Sequence, residues 1–298
     1  MQQEFRNFLQ EQQKLHELHR AMREVELYES YIRMLRTVHL ESDLPVDWTS
    51  VLDRPAPFEP DPDGKGPREA QAEQALAGYQ PNLWDRLFSR VRKKREALQR
   101  TLETARTEER AEYREWQKQR ELAARILAED RSAYEEAIEK LQPFADLAEL
   151  GSDFAFHMAV REDKKIAVVE FIVQSRKVIP QEIKSLTKTG RLSISKMPVT
   201  RYYSLEQDYV CSTIFRIARD LFALLPLTEV LIHARDYQLN EAVGRTELAT
   251  IVSVRIDRGV LNSLNLAKID PSEAMVNFEH RMSFLKTKGF RPVEQLEP

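Results

Sequence analysis

The chain has 298 residues, 42% hydrophobic and 31% charged, with 45 basic against 48 acidic side chains. That is the composition of a globular chain of about two domains, and its net charge of -3 excludes a globally basic nucleic-acid binder while leaving a local patch open. Eight glycines fall well under the ordinary share of about 7%, and neither G-x-x-x-x-G-K-S/T nor G-x-G-x-x-G occurs, so the two commonest phosphate loops are missing.

From Gln2 to about His39 apolar residues recur three or four apart: Phe5, Phe8, Leu15, Leu18, Met22, Val25, Tyr28, Ile32 and Leu35. The spacing predicts an amphipathic helix over 1–40 whose stripe needs a partner, either a second long helix or another copy of the chain. An acidic, proline-rich connection is expected over 41–67. It carries Pro45, Pro55, Pro57, Pro60, Pro62 and Pro67, and its acids outweigh its bases. The apolar Trp48, Val51, Leu52 and Phe58 imply that part of it lies on a surface, and DPDGKG reads as its mobile tip. The segment 68–147 should be helical: a short helix opened by Pro67 and closed near Gly78, then one uninterrupted arm from Asn82 to Leu141, about 90 Å long. The ends of that arm are amphipathic, with Leu83, Trp84, Leu87, Phe88 and Val91 at one and Leu122 to Leu141 at the other. Its middle holds little beyond Tyr113 and Trp116.

At Gly151 the period changes to that of strands. FAFHMAVR, EDKK and IAVVEFIVQ read as a hairpin, and Arg191 to Lys196 as a third strand. Tyr202 to Leu225 reads as a helix stopped by Pro226, TEVLIHA and LATIVSVRI as two strands, and PSEAMVNFEHRMSF as a final helix. The expected fold class is α+β: a long helical, coiled-coil-forming arm followed by a domain over 148–298 of order βββαββα.

No complete catalytic constellation is present. His16 and His19, three apart around Glu17, lack the H-E-x-x-H spacing and read as a solvated helix face. His157 and His233 lie in apolar strands and read as structural, hydrogen-bonded side chains. His280 has Glu279 and Arg281 beside it in an expected helix, where neighbours in sequence do not face one another. The one cysteine, Cys211, permits no internal disulfide and reads as a buried packing residue. The strand order invites comparison with restriction-endonuclease-like nucleases, in which carboxylates hold magnesium or manganese beside the scissile phosphate and a lysine stabilises charge. Asp153, Asp163, Glu170 and Lys196 are the candidates. Ile194 stands two before Lys196 and Ile172 two after Glu170, so the acid-x-lysine pattern is missing.

A local charge excess is plainer. From Arg161 to Arg201 ten basic residues oppose four acids, and Lys164, Lys165, Arg176, Lys177, Lys184, Lys188 and Arg191 could form an anion or nucleic-acid patch, with the acidic 41–63 stretch as an internal partner. No cofactor is implied beyond magnesium or manganese for a nuclease. The longest apolar run, near Leu221 to Leu227, is too short to span a membrane. The polar start MQQEFRNFLQEQQK has no apolar signal core, so a cytoplasmic location is expected.

VDW before a proline-rich stretch and PREA, the PFADLAELG junction, LFALLP, and DPSEAMVNFEHRMSF ending in GFRPVE together resemble a bacterial protein family that pairs a helical N-terminal half with such a C-terminal domain. The resemblance implies a bacterial origin and brings no activity, ligand or catalytic residue. The sequence therefore points to a non-enzymatic interaction or assembly protein, self-associating through long helices or presenting the α+β domain to a protein partner. The alternative is a nucleic-acid binder with a divergent or degenerate nuclease domain.

Overall fold

A computed structural model describes residues 2–61, 64–83, 86, 90–161, 164–240 and 243–298. The chain is α+β, and it divides into two compact units, 1–46 with 134–298, and 47–133. The first helix thus belongs to the same unit as the sheet.

In the larger unit a five-stranded sheet runs in the order β1-β2-β5-β6-β7. β1 (Asp153–Arg161) and β2 (Lys164–Ile172) pair antiparallel as the expected hairpin. β2 pairs parallel with β5 (Glu229–Asn240), and β6 (Arg245–Asp257) and β7 (Glu279–Met282) follow antiparallel. The parallel pair requires a crossover, which is the helix α8 (Val199–Leu224). From Tyr209 on, α8 is buried nearly all round, with the polar Ser212, Arg216 and Asp220 among its buried residues. Its Tyr209 meets Phe171 of β2 edge-on, with ring centroids 6.2 Å apart.

The opposite side of α8 receives α1 (Gln2–Thr37). Val25, Ile32 and Leu35 of α1 are buried, so the C-terminal part of the stripe expected to meet a second long helix or another copy is covered within the larger unit. A cluster of charge pins the chain after α1: Arg216 and Asp220, one turn apart on α8 and both buried, hold Glu41, Asp146 and the backbone N–H of Asp43. The acidic connection is thus tied to α8 at its start.

Two of the expected elements come out differently, and several short ones are added besides. The strand expected at 191–196 is β4 (Leu192–Lys196), but an additional β3 (Glu182–Leu186) precedes it, and the two form a separate hairpin outside the main sheet. The expected last helix over 271–284 is reduced to one α-helical turn, α10 (Pro271–Ala274), capped by the Asp270 carboxylate accepting from the N–H groups of Ser272 and Glu273, and a 3-10 turn over Met275–Asn277. The chain then turns into β7, because the edge of β6 offers a ladder there. Met275 and Phe278 owe their spacing to burial against α8, where Phe278 lies 5.7 Å from Phe215.

The smaller unit contains α2 (Trp48–Leu52), α3 (Pro67–Ala77) and α4 (Val91–Leu127). The middle of α4 is where the proline-rich stretch docks: Phe58 contacts Tyr113, Tyr113 contacts Trp116, and the Trp116 indole N–H donates to the Arg54 carbonyl at 2.9 Å. Buried Glu109 accepts the N–H groups of Arg68 and Glu69 at 2.8 Å each, and so caps α3 from outside. Within DPDGKG the Asp61 N–H donates to the Lys65 carbonyl at 2.9 Å, and Pro62 and Asp63 lie outside the described residues.

The long arm is not continuous to Leu141. It ends at Leu127, Glu129 adopts a left-handed conformation (φ 58), and α5 (Arg131–Leu141) begins anew. No glycine or proline is responsible: Asp130 accepts from the Ser132 N–H and from Arg125, a local alternative to the helical ladder. Of the apolar group expected at the other end of the arm, Trp84, Leu87 and Phe88 lie outside the described residues.

Candidate functional site

The sheet presents one face to α8 and a polar face on the other side. Strand alternation and register place Ala155, Glu170, His233, Ser253 and Arg281 in one row across all five strands of that polar face. The next row holds Asp153, Ile172, Arg235 and Thr250. Asp153 and Glu170 therefore sit on the same face as diagonal neighbours, about 7–8 Å apart at this kind of position. Asp153 is exposed and accepts from the Gln174 amide. Glu170 is half-buried and bound to Arg235 at 2.7 Å. The cation beside the acids is thus supplied by β5 and not by the position two residues after Glu170.

The other nuclease candidates do not join them. Lys196 sits on the separate β3–β4 hairpin, opposite Glu182, and Asp163 lies outside the described residues. Among the described residues no three His, Cys, Asp or Glu side chains are grouped to hold a metal ion. His233 is buried, with Nδ1 2.9 Å from the Ser253 hydroxyl, and burial lowers its pKa. Ser253 also accepts the Leu296 N–H at 2.9 Å, which fits a neutral ring receiving the Ser253 proton at Nδ1. His157, by contrast, is exposed on the edge strand.

The C-terminal residues close this face. Leu296 packs on Val168 and Leu231, the Val293 N–H donates to the Thr250 carbonyl at 2.9 Å, and Arg255 reaches the Glu297 carbonyl at 2.7 Å. Cys211 is fully buried, and burial pushes its thiol pKa up, away from reactivity.

The basic residues of 161–201 are distributed around the larger unit. Lys164 and Lys165 start β2, whereas Arg176 and Lys177 belong to α7 (Ser175–Val178) beyond its other end. β2 has nine residues, so those ends lie roughly 26 Å apart at about 3.3 Å per residue. Lys188 and Arg191 are exposed near the tip of the β3–β4 hairpin, Lys184 on that hairpin reaches Glu24 of α1 at 3.4 Å, and Arg161 reaches Glu229 at 3.5 Å.

α1 carries a second row of apolar side chains besides the one packed on α8. Phe5, Phe8, Leu15 and Met22 are 63, 54, 48 and 52% exposed. With Gln12 and His19 between them they recur at alternating steps of three and four, the a/d seam of a coiled coil about 25 Å long. His16 and His19 are themselves exposed, as a solvated face requires. The sequence names all four apolar residues but does not separate them from Val25, Ile32 and Leu35, because both rows repeat with the same period.

No protein-family model matches the chain, and neither the curated proteins nor the solved structures contain a match. Among the described residues no helix is long and apolar enough to cross a membrane.

Proposed function

We propose that the chain is an assembly protein that pairs with a second copy of itself through the N-terminal half of α1. One observation carries this reading: a helix of 36 residues whose C-terminal half is packed on α8 continues with its Phe5, Phe8, Leu15 and Met22 row about half exposed. Apolar side chains at heptad spacing gain most from a matching helix. The polar Gln12 and His19 at a-type positions favour a copy of the same helix in register, because a lone polar group there costs least opposite its own kind.

Light scattering on the intact chain after size exclusion tests this. The wild type should elute as a dimer, and the double variant Phe8→Glu, Leu15→Glu as a monomer with unchanged helicity. A monomeric wild type at tens of micromolar would refute the proposal.

A further inference from the structure

Beyond the carboxyl end of β2 lies a cleft of about 660 Å³, bounded by α7, the first turns of α8, the second half of β5 and the turn after β7. Its volume is that of a small-molecule site. At its floor are Glu206 and Asp236, each 6% exposed.

These two acids differ from the other buried carboxylates. Glu69 has Arg106 and Arg110, Glu109 has Arg68, and Asp220 has Arg216, all within 3.5 Å. No basic side chain among the described residues pairs with Glu206 or Asp236, although burying a carboxylate without a counter-charge is costly.

Their hydrogen bonds are short of a proton as well. The Ser175 hydroxyl donates to Asp236, which also accepts the Ser175 and Tyr237 N–H groups at 3.3 and 2.8 Å. Glu206 faces the same hydroxyl, and one hydroxyl has one hydrogen. An ionised Glu206 therefore lacks the donor that its neighbour has taken. Gly289 (φ 75) presses the turn against it: a Cβ there would stand 2.5 Å from the Tyr203 ring and 3.1 Å from the Glu206 carboxylate. At the mouth, Arg176, Lys288 and Arg291 are exposed and unpaired among the described residues.

We propose that this cleft binds a small zwitterion, its primary ammonium group against Glu206 and Asp236 and its carboxylate against the cations at the mouth. An ammonium group brings both what the floor lacks: a positive charge and three N–H donors. The Tyr203 and Phe290 rings provide apolar walls for the carbon skeleton between the two ends.

Calorimetric titration of the full chain tests the proposal, with lysine, ornithine and 4-aminobutyrate as zwitterionic probes, putrescine as the cation alone, and acetate and inorganic phosphate as anions alone. At least one zwitterion should bind, and Glu206→Gln should weaken it about ten- to hundredfold, the usual worth of a buried charged hydrogen bond. Arg291→Ala should weaken the zwitterions and leave putrescine unchanged. Circular dichroism of each variant shows that the fold is kept. Binding by none of the probes, binding by the anions alone, or affinity indifferent to both substitutions would overturn the proposal.

Discussion

Glu206 makes a sharp test of the electrostatics of the α8–β5 region. Burial, together with the neighbouring charge of Asp236 and against the Ser175 hydroxyl, raises its pKa from 4.5 to about 7. In the unfolded chain the group returns to the lower value, so between these two pH values the native state binds the extra proton. Stability must then fall as pH rises from about 4.5 to about 7 and stay level above, the reverse of a salt-bridged carboxylate. A gap of about two and a half pKa units at about 1.4 kcal/mol each amounts to roughly 3 kcal/mol. Glu206→Gln keeps the shape and removes the titration. The variant should match the wild type near pH 4 and exceed it by up to about 3 kcal/mol at pH 8. Asp220, pushed up to about 6 by burial, bends both curves alike, so the difference between them isolates Glu206. Urea denaturation at half-unit steps from pH 4 to 8.5 measures it. Parallel curves, with no pH-dependent gap, would refute the reasoning.

Two further substitutions probe how each unit is held together. Arg216→Met leaves the fully buried Asp220 without its partner at the junction of α8 with 41–43 and Asp146, which should cost about 3–5 kcal/mol at pH 8; a loss under 1 kcal/mol in denaturant titration would show the cluster to be marginal. Gly66→Ala would place a Cβ 2.3 Å from the Glu109 carboxylate that caps α3, and displacing that cap should lower stability by about 1–3 kcal/mol. A melting temperature unchanged within a degree would show that the carboxylate simply moves aside. Replacement of Lys184, Lys188 and Arg191 by alanine bears on the nucleic-acid alternative. With the basic residues spread over both ends of β2 and a separate hairpin, fluorescence anisotropy should detect no salt-sensitive DNA or RNA binding for this variant to lose, and tight wild-type binding abolished by it would revive the patch.

The α+β class, the β1–β2 hairpin and the central helix are legible in the sequence because each is fixed by a local period: alternation for the strands, and 3.6-residue spacing stopped by Pro226 for the helix. Most of what fails depends on a partner far along the chain, and the rest on local side-chain bonds. PSEAMVNFEHRMSF has a helical cap and helical spacing, and still yields a strand after Asn277 because β6 has an open edge at Val252–Arg255. The break at Glu129 escapes a reading that equates helix ends with glycine and proline, since the competing bonds come from Asp130, Arg125 and Ser132. The middle of α4 looks unpacked because Tyr113 and Trp116 are only two apolar groups among many charges. Their partners, Phe58 and the Arg54 carbonyl, lie more than 50 residues upstream.

The same limit explains why Glu206 and Asp236 were invisible while Asp153 and Glu170 were not. A sequence search for chemistry looks for acids at fixed spacing on one strand or helix, and it duly finds carboxylates on β1 and β2. The fold gives Glu170 an arginine and Asp153 an amide, and so leaves them satisfied. Glu206 lies in the polar stretch Glu206-Gln207-Asp208 of α8, which looks like surface, and Asp236 sits 30 residues later on β5. Only the parallel pairing of β2 with β5 brings the Ser175 turn, the start of α8 and the far half of β5 to one place, which is where open sheets with a crossover leave a crevice. Convergence of this kind is a property of topology. An acid that the fold has buried and left without a counter-charge is consequently a better pointer to a ligand in this chain than an acid at a familiar spacing.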